Sequence, residues 1–120
     1  MSHTVKVSVE LRDREVLELA RERCKLPAFK EGRHDLFQGQ HKGLALQLPG
    51  WSYPVVIKPE SGEAVYDNYG EKWGKQVELD RLCQAYALEA GTREFQRQGF
   101  EVLEEQPQAT GDVRLVATAY

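Results

Sequence analysis

The chain has 120 residues, with 16 basic and 19 acidic side chains and a net charge of −3. Hydrophobic residues make up 41% and charged residues 29%, the usage of a folded chain rather than a disordered one. The acidic balance offers no general attraction for phosphate backbones or anionic lipid, which argues against a nucleic-acid partner.

The length suits one domain, residues 1–120, with a single core. No apolar run approaches the ~20 residues that span a bilayer, and the polar opening Met1-Ser2-His3-Thr4 lacks the pattern of a signal peptide. A cytoplasmic protein with no membrane partner is the expectation. Cys24 and Cys83 lie far apart and form no CxxC or CxxH motif, so both are expected to be small buried hydrophobes with free thiols.

Val5, Val7, Val9 and Leu11 alternate with polar residues, the period of a half-buried strand. Asp13 is placed to cap a helix that carries Val16, Leu17, Ala20 and Cys24 on one face and stops at Pro27. Leu36-Phe37 reads as the start of a strand, and Leu44, Leu46 and Leu48 predict another. After the Pro49-Gly50 turn, Trp51, Tyr53, Val55 and Ile57 are expected on one face of the next strand. Pro54 lacks an N–H, which predicts an edge or a bulge there. A turn at Pro59 to Gly62 leads to a short strand from Glu63 to Tyr66. Leu79, Leu82, Cys83, Tyr86 and Ala90 share a helical face, while Leu88 and Phe95 fall off it, which predicts a break at Gly91 with Thr92 capping a second short helix. Gly99 ends that helix, and Phe100 onward and Val113–Ala119 form a hairpin. The order β-α-β-β-β-α(-α)-β-β suits an α+β fold: a mostly antiparallel sheet of five to six strands with two main helices on one face.

Several stretches are distinctive in order and spacing: Leu48-Pro49-Gly50-Trp51-x-Tyr53-Pro54-Val55-Val56, Tyr66-Asp67-Asn68-Tyr69, Trp73-Gly74, Leu82-x-Gln84-x-Tyr86-Ala87 and Gly99-Phe100-x-Val102. With the opening Met1-Ser2-His3, they resemble domain-of-unknown-function family 1257, which includes the plastid and cyanobacterial proteins called hypothetical chloroplast reading frame 35. The resemblance implies no activity, cofactor or catalytic residue. It does imply an accessory role near AAA-type ATPases. The Leu-Pro-Gly-Trp stretch departs from the plastid-type members and argues against a plastid-specific role.

Candidate chemistry is sparse. His3, His34 and His41 are not spaced as a helical pair or a zinc knuckle, which leaves a metal site that uses His3 and a distant partner as the alternative to plain surface histidines. Gly39-x-x-x-Gly43 and Gly70-x-x-x-Gly74 lack the Lys and Ser or Thr of a phosphate loop and read as turn and packing glycines. Glu63, Asp67 and Asp80 would form an acid–base site only if the fold brought them together. Arg12, Arg14, Arg21 and Arg23 would bind nucleic acid only if they shared a free face. The strongest feature is the aromatic group Trp51, Tyr53, Tyr66, Tyr69 and Trp73, interleaved with Asp67 and Asn68. Trp and Tyr fill cores and also dominate binding hot spots. These seven residues are the candidate partner-binding site, with no cofactor. The leading expectation is a non-enzymatic protein-binding or adaptor module, with a small enzyme or a ligand-binding protein with a pocket between sheet and helix as the alternative.

Overall fold

The computed structural model describes residues 5–6, 10–37, 39–107 and 113–119, with the backbone alone for 5–6, 102–107 and 113–119. The elements in chain order are β1 (Val5–Lys6), α1 (Arg14–Arg23), β2 (Lys30–Leu36), β3 (Gly39–Leu46), β4 (Val55–Lys58), β5 (Glu63–Tyr66), α2 (Gln76–Arg97), β6 (Phe100–Pro107) and β7 (Val113–Ala119). One antiparallel sheet has the order β1-β5-β4-β3-β2, and β6 and β7 form a separate two-stranded sheet. The fold is α+β, as expected, but the seven strands among the described residues fall into two sheets. The alternation expected at 7–9 lies outside the described residues.

Helix α1 begins where its cap requires. The Asp13 carboxylate accepts hydrogen bonds from the Glu15 and Val16 backbone N–H groups at 3.0 and 3.2 Å, satisfying two donors that have no partner within the helix. Val16, Leu17 and Ala20 are buried. They join Leu44 and Leu46 of β3, Val55 and Ile57 of β4, Ala64 and Tyr66 of β5, and Leu79, Leu82 and Cys83 of α2 in the main core. Both helices therefore cover the same face of the five-stranded sheet. Each large aliphatic side chain buried here contributes about 1.5–3 kcal/mol.

Three sequence expectations need correction. Helix α2 runs unbroken through Gly91 and Thr92. Its apolar residues look inconsistent because it has more than one neighbour: Leu79, Leu82, Cys83 and Tyr86 serve the main core, whereas Phe95 packs edge-on against Phe100 of β6 at 5.8 Å. It ends at Gly99, whose φ of 86° is the left-handed conformation foreseen there. Second, Trp51 and Tyr53 precede β4 rather than lying within it, and they pack on different faces. Pro54 also precedes the strand, so it removes no ladder hydrogen bond although β4 is central.

The third correction concerns residues 30–43, which form most of an unforeseen hairpin. β2 and β3 pair from Lys30↔Ala45 to Leu36↔Gly39, so Leu36 ends a strand and Phe37 lies in the turn. Only Leu44, Ala45 and Leu46 of β3 also pair with β4. A straight hairpin would carry Phe37 about 20 Å beyond that contact. Instead Leu36 packs with Val56 and Val65, and the Phe37 ring lies 5.2 Å from Trp73. The hairpin must therefore curl back across the sheet face opposite the helices. The curl passes through the register pair Gly32↔Gly43. Gly32 has φ 139°, and a β-carbon on Gly43 would stand 2.5 Å from the Ile57 carbonyl oxygen. The His34 Nε2 to Lys30 carbonyl distance of 2.8 Å shows the same bend, because four residues of straight strand span about 13 Å.

Candidate functional site

The seven candidate residues divide between the two faces of the sheet. Trp51 and Tyr66 are buried in the main core, with ring centroids 5.6 Å apart in an edge-on contact. Trp51 Nε1 donates to the Lys75 carbonyl at 3.1 Å, so this indole pins the loop ahead of α2. Tyr66 donates its hydroxyl to Gln76 Oε1 at 3.3 Å, and the same oxygen accepts from Asn68 Nδ2 at 3.4 Å. Gln76 Nε2 in turn donates to Asp80 Oδ1 at 3.2 Å. Burial raises the Tyr66 phenol pKa above its ordinary value. Trp51, Tyr66 and Asn68 are thus architectural on this face, and Gln76 is the polar hub that ties β5 to α2.

Tyr53, Tyr69 and Trp73 lie together on the other face. Trp73 is the centre: its ring is 5.5 Å from Tyr53, 4.8 Å from Tyr69 and 5.2 Å from Phe37, all tilted. The Lys72 ammonium sits 5.0 Å from the Tyr69 ring centroid. Tyr53, Tyr69 and Trp73 are half-buried, and Phe37 is 56% exposed. Sequence reasoning missed Phe37, since nothing in its neighbourhood signals a curl. The nearest clue was Gly39, the punctuation of a turn just after Leu36-Phe37.

The loop that presents Tyr69 and Trp73 has an uncommon backbone. Tyr69, Gly70 and Glu71 have φ of 46°, 58° and 71°. Left-handed conformation costs a non-glycine residue about 1–2 kcal/mol, so the turn needs outside support. Tyr69 N–H donates to Asp67 Oδ1 at 3.3 Å, Trp73 N–H to the Asn68 carbonyl at 3.0 Å, and Ser52 N–H to the Trp73 carbonyl at 2.7 Å. Glu71 Oε1 accepts from Gln76 N–H at 2.9 Å and so caps α2 in place of Lys75. Asp67 is fully buried, and its Oδ2 has no hydrogen-bond partner among the described residues.

The remaining candidates stay apart or are already engaged. Glu63 and Asp67 end opposite extremities of the β5 region, and Asp80 is held by Gln76, so no carboxylate pair forms. Arg12, Arg14, Arg21 and Arg23 face Glu10, Glu31, Glu18 and Glu89, at 3.5, 3.1, 2.6 and 3.3 Å respectively. They do not make a free basic face. Both cysteines are free; burial raises the Cys24 pKa and pushes Cys83 up to about 12. No group of three or more His, Cys, Asp or Glu among the described residues is arranged to hold a metal ion. A cavity of about 440 Å³ lies between the start of α1 and the far half of α2, and one of about 290 Å³ is lined by Pro27, Ala28, Lys30, His34, Ala45, Gln47 and Pro54. Among the described residues, no helix is long and apolar enough to cross a membrane.

A family model described as protein of unknown function (DUF1257) matches residues 56–116, just over half of the chain, from β4 into β7. No curated protein and no solved structure matches it.

Proposed function

The chain belongs to the DUF1257 family of proteins of unknown function, and we propose that it is a non-enzymatic module that binds another protein through the aromatic cluster of Phe37, Tyr53, Tyr69 and Trp73. The observation that carries this reading is the exposed Phe37, held by a curled hairpin against Trp73, the half-buried ring that also contacts half-buried Tyr53 and Tyr69. Hot spots favour such rings because they bring large area with few rotatable bonds. The left-handed turn at Tyr69 to Glu71 adds support, since local strain tends to persist where the surroundings hold it for a purpose. The alternative, an enzyme or ligand-binding protein with a pocket between sheet and helix, has less support because that space is filled by Leu11, Leu17, Leu46, Ile57, Leu79 and Leu82. The partner class we propose is the AAA-type ATPase that the family resemblance implies. A cytoplasmic setting, with which two free thiols agree, is part of the same proposal.

A photo-crosslinking side chain placed at Phe37 tests the reading. In cells of the native host it should trap one partner, which Trp73→Ala should abolish. The same probe at Val77, an exposed residue on α2, should trap nothing specific. Equal adducts from both positions, or none from Phe37, would remove the basis of the proposal. Identification of the trapped protein decides whether it is an ATPase.

A further inference from the structure

We infer that His34 and His41 form a cross-strand binding site for a borderline divalent transition cation such as Zn²⁺, closing the curled hairpin like a clip. The two histidines are direct partners in the β2–β3 ladder. Side chains of directly opposed residues in an antiparallel pair project from the same face, with β-carbons about 4.5–5.5 Å apart. That spacing lets two imidazoles converge on one ion.

Their neighbourhood leaves room for it. The flanking ladder pairs are Gly32↔Gly43 and Leu36↔Gly39, so three of the four adjacent positions carry no side chain. A β-carbon on Gly32 or Gly39 would meet nothing within 4 Å, so the open space lies on those sides, while the Gly43 side is closed by the Ile57 carbonyl and Val56. Both histidines are half-buried, so the rings are partly shielded yet within reach of solvent.

The hydrogen bond of His34 sets the chemistry. Its Nε2 lies 2.8 Å from the Lys30 carbonyl oxygen. A carbonyl can only accept, so Nε2 carries the proton and, in neutral imidazole, Nδ1 holds the free lone pair. Metal-binding histidines are typically oriented this way, with the other ring nitrogen donating to a backbone carbonyl. His41 stands directly across the ladder from this ring. The cations of this hairpin, Arg33 and Lys42, are paired with each other in register on the opposite face, while Lys30 shares the face of the histidines. Among the described residues no third His, Cys, Asp or Glu completes the set, so water fills the remaining positions and the site is open. An ion bound there would cross-link the strands just before Leu36 and Phe37, the part of the hairpin that reaches Trp73.

The test is calorimetric titration of the full chain with zinc chloride at neutral pH. One ion per chain should bind, and His34→Gln and His41→Gln should each weaken binding at least about tenfold, since the loss of supporting second-shell groups alone costs 10- to 100-fold. His3→Ala should bind like the parent, which separates this site from any metal binding at the amino terminus. Circular dichroism checks that the variants fold. Imidazole nitrogen resonances supply a second readout: on zinc addition, Nδ1 of His34 should shift as a ligand while Nε2 keeps its proton. The inference is overturned if zinc binds only at millimolar concentration. It is also overturned if binding survives both glutamine variants, follows His3, or uses Nε2 of His34. None of these outcomes bears on the aromatic partner site, which the crosslinking experiment tests separately.

Discussion

Trp51 lies against the backbone of Gly74 so closely that a β-carbon on Gly74 would stand 2.4 Å from Cδ2 of the indole. The indole has nowhere to retreat. Its Nε1 is bound to the Lys75 carbonyl and its ring is wedged against Tyr66. Gly74→Ala should therefore destabilise the protein by about 1–3 kcal/mol, the usual cost of overpacking a tight core. Denaturant titration measures it, and a midpoint like that of the parent would show that the contact can relax.

The two tryptophans should behave differently. Trp51 is 5% exposed and belongs to the main core, so Trp51→Ala should cost about 3–5 kcal/mol. Trp73 is half-buried under other rings and contributes chiefly its three aromatic contacts, so Trp73→Ala should cost less, about 2–3 kcal/mol. The ordering matters more than either figure. If Trp73→Ala proved the more damaging, the cluster would be a second core, and the case for a recognition surface would weaken.

Cys83 predicts a pH dependence. Burial pushes its pKa to about 12, against an ordinary thiol value of 9.0. Between those values the unfolded thiol is ionised and the folded one is not, so the unfolded state binds fewer protons. Stability from this group is complete below pH 9 and is lost as pH rises toward 12. Tyr66, whose pKa burial also raises, acts in the same direction at higher pH. Raising the pH from 9 to 11 should thus destabilise the parent more than it destabilises Cys83→Ala. Thiol labelling at neutral pH should be slow at both cysteines, and slower at Cys83 than at the half-buried Cys24.

How much of this was legible depends on periodicity. The alternation of Leu44 and Leu46 and the spacing of Val16, Leu17 and Ala20 have one buried face each, so their elements could be read directly. Helix α2 was readable as a helix but not as one piece, because Phe95 faces β6 while Leu79 and Leu82 face the main core. The hairpin at 30–43 escaped because only Leu36 of its distal half is buried, and glycine occupies positions where an apolar residue would have marked the inner face. Missing the hairpin meant missing Phe37 and the opposition of His34 and His41, neither of which is visible without register. The aromatic set was legible as residues, but not the division that puts Trp51 and Tyr66 on one face and Tyr53, Tyr69 and Trp73 on the other.

That hairpin supplies the most demanding prediction. Its curl requires β3 to pass over β4 without a side chain, because a β-carbon on Gly43 would approach the Ile57 carbonyl oxygen to 2.5 Å and Val56 Cγ1 to 2.9 Å. The valine methyl can turn away, but the oxygen belongs to a central strand and cannot move without breaking the sheet. Gly43→Ala should therefore open the curl, lifting Leu36 from Val56 and Val65 and parting Phe37 from Trp73. The expected cost is about 1–3 kcal/mol, with loss of the Phe37–Trp73 nuclear Overhauser contacts and a red shift in tryptophan emission as Trp73 loses its cover. Gly39→Ala is the control. Its φ of 98° makes alanine unfavourable, but a β-carbon there meets nothing within 4 Å. It should lower stability through backbone strain yet keep the Phe37–Trp73 contacts. If both variants kept them, Gly43 would not be the hinge of the curl. If both lost them, turn geometry rather than close passage over Ile57 would be what holds the hairpin down.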